Sequence, residues 1–245
     1  MARRAESTMI HPVLTENVRE ALLRAAARNN ADWCEAICRA HGLRGEFRLD
    51  AWTSPARTPP YYPDAVTLTE HADAGDLLAR IDLGVGGASV KDSFAALDLA
   101  DRGFAPLLDA RWIGRPADPP ARDPLWQRIR TTGRLAAWEI AWDGGVEGLF
   151  PASLLEDPSV LVLASPDFGA GAVLNLGAGV VGVSNLFVAD PAVDAARAWH
   201  DCLAAASVRC PGLPVVGYES GEELAAAEKA GFTPLGPLRI WLATS

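Results

Sequence analysis

Residues Pro214–Leu242 read PVVGYESGEELAAAEKAGFTPLGPLRIWL. Val215–Tyr218 is a short apolar run of strand character. The next stretch has the make-up of a helix, with Glu222 and Glu223 early, Lys229 late and alanines between. Gly231 stops it, and Phe232 opens a final strand. Upstream, Asp194–Ala206 reads as a helix with Trp199 and Leu203 four apart on its buried face. Val160–Ala164, Ala172–Leu176 and Val180–Val188 read as three strands. The order β-β-β-α-β-α-β predicts an α+β protein.

Toward the N-terminus, Glu16–Arg28 has helical apolar spacing after Thr15, and Ala31–Ala40 reads as a second helix ending at Gly42. Glu46–Trp52 alternates like a strand, and the proline-rich TSPARTPPYYP reads as a loop. Val66–Thr69 and Ser89–Phe94 read as strands, Asp73–Ile81 and Ala95–Arg102 as helices. Leu125–Trp142 has a helical period interrupted at Gly133. Ala100–Ile113 (ADRGFAPLLDARWI) resembles Ala227–Leu242: both read Gly-Phe-x-Pro-Leu and then Arg and Trp, with the Gly-Phe pairs 128 positions apart. Gly114–Pro124, polar and rich in proline, is the best internal boundary. The expected division is therefore a less complete lobe at 1–115 and a more complete one at 122–245.

Composition sets limits. The chain has 245 residues, 49% hydrophobic and 22% charged, with a net charge of −9. Nucleic-acid binding needs a dense basic stripe, and none is present, so no nucleic-acid partner is expected. The apolar runs are too short to span a bilayer, so no membrane partner is expected. Arg3 and Arg4 are not followed by an apolar signal region, which makes a cytoplasmic location the default.

Cys34, Cys38 and His41 share one helix face by spacing, which makes a metal site conceivable. A structural zinc site needs four ligands, and neither Cys202 nor Cys210 brings a ligand pair, so core packing is the preferred reading and no metal is assigned. Gly177-Ala-Gly179-Val-Val-Gly182 spells a dinucleotide-binding signature, yet strand-like residues follow Gly182 where that motif needs a helix. A hairpin turn at Gly177–Gly179 is the simpler account.

The β-β-β-α-β-α-β order, with a helix ending in Gly-Phe before the last strand, resembles the GNAT superfamily of acyl-CoA-dependent N-acyltransferases over roughly Leu125–Leu242. The resemblance implies a mixed central sheet flanked by helices, here built as two lobes. It also implies acetyl-CoA as co-substrate, with the pantetheine arm along Asn185, Leu186, Phe187 and Val188 and the pyrophosphate at the start of the following helix, near Arg197. The family's phosphate loop, Gln/Arg-x-x-Gly-x-Gly/Ala, corresponds here to Ala189–Arg197, which has no glycine and contains Asp190 and Asp194. The family's frequent tyrosine acid corresponds to Ala227, and its asparagine to Ser220.

Acyl transfer to an amine needs a base and proton donors. Glu219, at the end of its strand, is the candidate base. Tyr218 is the candidate acid, with Ser184 and Asn185 as further donors. Tyr218 and Glu219 are adjacent, so in a strand they point to opposite faces. The competing account has Tyr218 in the core and Glu219-Ser220 capping the next helix. His200 reads as a surface histidine, and the tryptophans read as core anchors. Two functions remain: an acyltransferase acting on a small amine, or a non-catalytic ligand- or protein-binding module of the same fold, with a homodimer compatible with either.

Overall fold

The computed structural model describes residues 14–121, 123–144 and 147–244. In chain order the elements are α1 (Glu16–Ala40), β1 (Glu46–Phe47), β2 (Ala51–Thr53), β3 (Ala65–Thr67), α2 (Ala74–Leu78), β4 (Ser89–Asp92) and β5 (Phe104–Arg115). They continue with β6 (Gln127–Arg128), α3 (Thr132–Trp142), β7 (Val160–Ala164), β8 (Ala170–Gly177) and β9 (Val180–Val188). Last come α4 (Ala195–Arg209), β10 (Val215–Glu219), α5 (Gly221–Lys229) and β11 (Thr233–Ala243). The strands form one mixed 11-stranded sheet in the order β1-β2-β3-β4-β11-β5-β10-β9-β8-β7-β6. Helices flank it, as an α+β protein requires. One sheet thus runs through both segments, 1–115 and 122–245.

Its centre is set by the repeated Gly-Phe. Gly103 and Gly231 both have positive φ, 81° and 90°. Each ends a helical turn in the same way: the Phe104 N–H donates to Leu99 O, and the Phe232 N–H to Ala227 O. A left-handed residue closing a helix with a bond five residues back is the glycine-terminated cap that the sequence pattern requires. The strands launched from these caps, β5 and β11, pair with each other antiparallel. Ala110 faces Leu238, and 128 positions separate them. Asp109↔Arg239 and Arg111↔Pro237 are exchanged by the same shift, as are the two register breaks, at Leu107 and Leu235. A pseudo-two-fold axis therefore passes through Ala110 and Leu238. About it, β11 inserts between β4 and β5, and β5 between β11 and β10.

Each half buries its own core against the sheet. Phe104 packs with Leu77, Leu99 and Trp241 beneath α2. Phe232 packs with Trp199, Ile113 and Ala227 beneath α4 and α5. Aromatic side chains of this size dominate core energetics, which fits their placement at the equivalent points of the two halves. On the opposite face α1 covers β5, β8, β9 and β11.

Several local expectations are corrected. Glu16–Arg28 and Ala31–Ala40 form a single helix, α1. Asn29 and Asn30, which looked like a break, remain helical because their side chains are buried and hydrogen-bonded across the tertiary structure. Glu46–Trp52 is a tight β1–β2 pair rather than one strand. Ala95–Arg102 contains only a 3-10 turn at Ala100–Arg102. In Leu125–Trp142 helix begins at Thr132, and Gln127–Arg128 instead pairs as β6 on the sheet edge. The glycine-rich signature is a hairpin: Ala178 and Gly179 both take positive φ between the paired Gly177 and Val180. A type I′ turn needs both central residues in that region.

Candidate functional site

The chain opens a cleft where β9 and β10 part. These parallel strands pair only at Val181↔Val215 and Gly182↔Val216. Beyond them β9 is deformed: Val173 faces Ser184 but Gly171 faces Phe187, so Asn185 and Leu186 lie opposite Ala172 alone. Asn185 takes φ 52°, a left-handed value that asparagine tolerates better than most residues. Among the described residues, the edge of β9 that faces β10 has no strand partner from Val183 onward.

The cavity in this splay has a volume of about 260 Å³. Ser184, Asn185 and Leu186 form one wall, Tyr218 and Glu219 another. Asn30, Trp33 and Cys34 of α1 and the loop residues Tyr61 and Tyr62 also line it. α1 is held there by a buried amide pair. Asn29 Nδ2 donates to Asn175 O and Gly177 O at 3.1 and 3.2 Å, and Asn175 Nδ2 donates to Asn29 O at 2.9 Å. This network explains Gly182, where a Cβ would run into Asn29 and Asn175. Tyr62 is buried, its hydroxyl 3.4 Å from Asn185 Oδ1, and burial pushes its phenol well above the ordinary range.

Alternation along β10 separates the two candidate catalytic residues. Val215 packs in the α4/α5 core, whereas Val216 and Tyr218 pack in the α1-side core. Glu219 is therefore directed to the α5 side, and both residues contribute to the cavity wall. The Tyr218 ring meets Trp112 edge-on at 5.5 Å, and Lys91 Nζ lies 4.2 Å from its centroid. Glu219 is half-buried. Burial, reinforced by the Glu223 carboxylate, lifts its carboxyl from 4.5 to about 7. Ser220 occupies the N-cap position of α5, but its side chain makes no capping bond, so the capping account lacks its hydrogen bond.

The residues expected to hold the cofactor divide. Asn185 and Leu186 line the cavity. Phe187 is buried against Trp138, at 5.4 Å between ring centroids, and Val188 is paired with Ala170. Arg197 lies in a separate depression at the start of α4, with Asp167, Asp194 and Asp201. Its Nε bonds to Asp201 at 3.0 Å. The chain's own groups occupy the donors of this loop. Asp194 accepts from the Arg197 N–H at 2.7 Å, Asp190 from the Ala192 N–H at 2.8 Å, and Gly169 O from the N–H groups of Ala189 and Asp190. A helix N-terminus already capped by a carboxylate offers little to an incoming phosphate.

Sequence reasoning missed Lys91, Asn30, Trp33 and Tyr62, which reach the cavity from the N-terminal segment. Lys91 alone left a local sign, a lysine flanked by Val90 in a stretch that otherwise reads as a buried strand. The cysteines are core residues: Cys34 and Cys38 pack with Trp33, Ile37 and Trp52, and His41 Nε2 lies 3.0 Å from Leu149 O. No helix among the described residues is long and apolar enough to cross a membrane.

No family model matches the chain. No curated protein matches it either. Solved structures do. A protein from Novosphingobium aromaticivorans, assigned as an acetyltransferase of the GNAT family, superposes with a TM-score of 0.55 at 14% identity. The match covers 89% of this chain and 97% of that one. A Drosophila protein gives 0.50 at 15% identity, covering 95% of this chain and 98% of its own. A Pyrococcus horikoshii protein assigned as an acetyltransferase gives 0.50 at 8% identity, covering 100% and 92%. With its splayed parallel pair and flanking helices, the chain shares its overall fold with these proteins.

Proposed function

We propose that the chain is a cytoplasmic N-acyltransferase that moves an acyl group, acetyl in the simplest case, from a CoA thioester to a small amine. The observation that carries this reading is Glu219: a carboxyl lifted to about 7, in the wall of the cavity where the two parallel strands part. A base poised near neutral pH is suited to taking a proton from an ammonium ion. Ser184, Asn185 and Tyr218, all with polar hydrogen-bonding side chains, line the same cavity. The unpartnered edge of β9 offers backbone hydrogen bonds to an extended amide-bearing arm such as pantetheine. The bound thioester would supply the acyl group.

The nucleotide end of CoA does not fit equally well. Asp190 and Asp194 engage the loop's N–H groups, and Asp167 and Asp201 add negative charge beside Arg197. Grip on the donor therefore rests on the arm. The same observation favours a second reading, a non-catalytic module that binds a small ligand in the cavity.

Calorimetric titration with acetyl-CoA and with S-acetylpantetheine, which lacks the nucleotide, tests the proposal. Both should bind, with dissociation constants within about threefold of each other, a difference below about 1 kcal/mol. An amine screen should then reveal turnover that Glu219→Gln abolishes. Absence of binding by either thioester at millimolar concentration would exclude acyl transfer and leave the binding module.

A further inference from the structure

Lys91 is one of only two lysines in the chain. It is 3% exposed, in the middle of β4. Its Nζ donates to Asn30 Oδ1 at 2.9 Å and sits over the Tyr218 ring. No carboxylate of the described residues pairs with it. Three arginines differ in this respect: Arg57 pairs with Asp64, Arg80 with Asp50 and Arg115 with Asp118. The neighbouring Asp92 is turned to the other side of the strand, where it accepts from Thr67 Oγ1 and the N–H groups of Phe94 and Leu97. Cys34 offers no counter-charge, since burial pushes its thiol up to about 11.

A buried ammonium group normally has a counter-ion, because removing it from water is costly and a neutral amide and a ring face compensate only in part. Here the missing partner has a place, since Lys91 lines the splay cavity. We infer that Lys91 anchors the carboxylate of a free amino acid, whose amine is the group acylated in the splay between β9 and β10. The amine half of this inference rests on the acyltransfer reading, whereas the carboxylate half does not.

The cavity chemistry narrows the class. A phosphate would call for several cationic or backbone donors, whereas Lys91 is the only basic side chain among the described residues of the lining. A volume of about 260 Å³ lies below the roughly 300–1,000 Å³ typical of drug-sized ligands and suits a single amino acid. Trp33, Tyr61, Tyr62 and Trp142 give it aromatic walls, which favour an apolar or aromatic side chain.

The test is a binding screen without any thioester. Free amino acids and their matching carboxamides are titrated, each up to about 10 mM to reach millimolar affinities, into wild-type protein, Lys91→Met and Lys91→Arg. At least one amino acid should bind, and its carboxamide should bind at least about tenfold more weakly, as loss of a charged hydrogen bond implies. Lys91→Met should bring acid and amide within about twofold, and Lys91→Arg should retain part of the preference. The melting temperature of Lys91→Met, which loses both a partly compensated buried charge and its bond to Asn30, is measured alongside, so a folding defect would be visible separately. Equal binding of acid and amide, unchanged discrimination in Lys91→Met, or no binding by any amino acid would overturn the inference. Binding with carboxylate discrimination but no acetylation in the presence of acetyl-CoA would uphold the anchor and remove the acyltransfer reading instead.

Discussion

Replacing Glu219 with glutamine should stabilise the protein, and by an amount that depends on pH. The folded-state carboxyl is lifted from 4.5 to about 7, first by burial and then by Glu223. Unfolding exposes it to water, where it ionises near its ordinary value. Between these two values the folded state holds a proton that the unfolded state has released, so stability falls as pH rises through this window. Above about pH 7 the loss is complete. At 1.36 kcal/mol per pH unit the full shift corresponds to about 3 kcal/mol, and partial access to solvent reduces this to about 2 kcal/mol. Glu219→Gln removes the ionisation. Urea denaturation at pH 8.5 should show it about 2 kcal/mol more stable than wild type, with the gap below about 1 kcal/mol at pH 5. A melting scan should show a rise of about 4–8 °C at pH 8.5. Equal or lower stability of the variant at pH 8.5 would refute the account: Glu219 would then be hydrogen-bonded as a carboxylate, and its role as a base near neutrality would have no basis.

Two further substitutions address the frame around the cavity. Gly182→Ala drives a methyl group into the Asn29–Asn175 amide pair, and should cost about 3 kcal/mol or more in chemical denaturation. Asp194→Ser keeps an oxygen to cap α4 while removing a charge from its start, so stability should change by less than about 1 kcal/mol. Acetyl-CoA should bind this variant about two- to fivefold more tightly by calorimetry, as removal of one nearby like charge implies.

Elements with strong chemical punctuation were legible from the residues alone. Gly103-Phe104 and Gly231-Phe232 announce a helix stop and a strand start, since only glycine takes the left-handed cap without a steric penalty. Gly177–Gly179 announces the hairpin for a related reason, and the alternation of β10 fixes that Tyr218 and Glu219 face apart. The absence of glycine in Ala189–Arg197 is likewise legible, and in the structure Asp190 and Asp194 accept hydrogen bonds from N–H groups of that stretch. The rest came from long-range packing. No local rule reveals that β5 and β11 exchange places between β4 and β10, because strand pairing depends on contacts more than 100 positions apart. Asn29 and Asn30 look like helix breakers until Asn175 and Lys91 are present to bond them. Lys91 meets Tyr218 only because the pseudo-two-fold brings β4 and β10 to opposite sides of the exchanged pair, beneath α1. The cavity is built from segments separated along the chain, and long-range packing rather than local propensity brings them together.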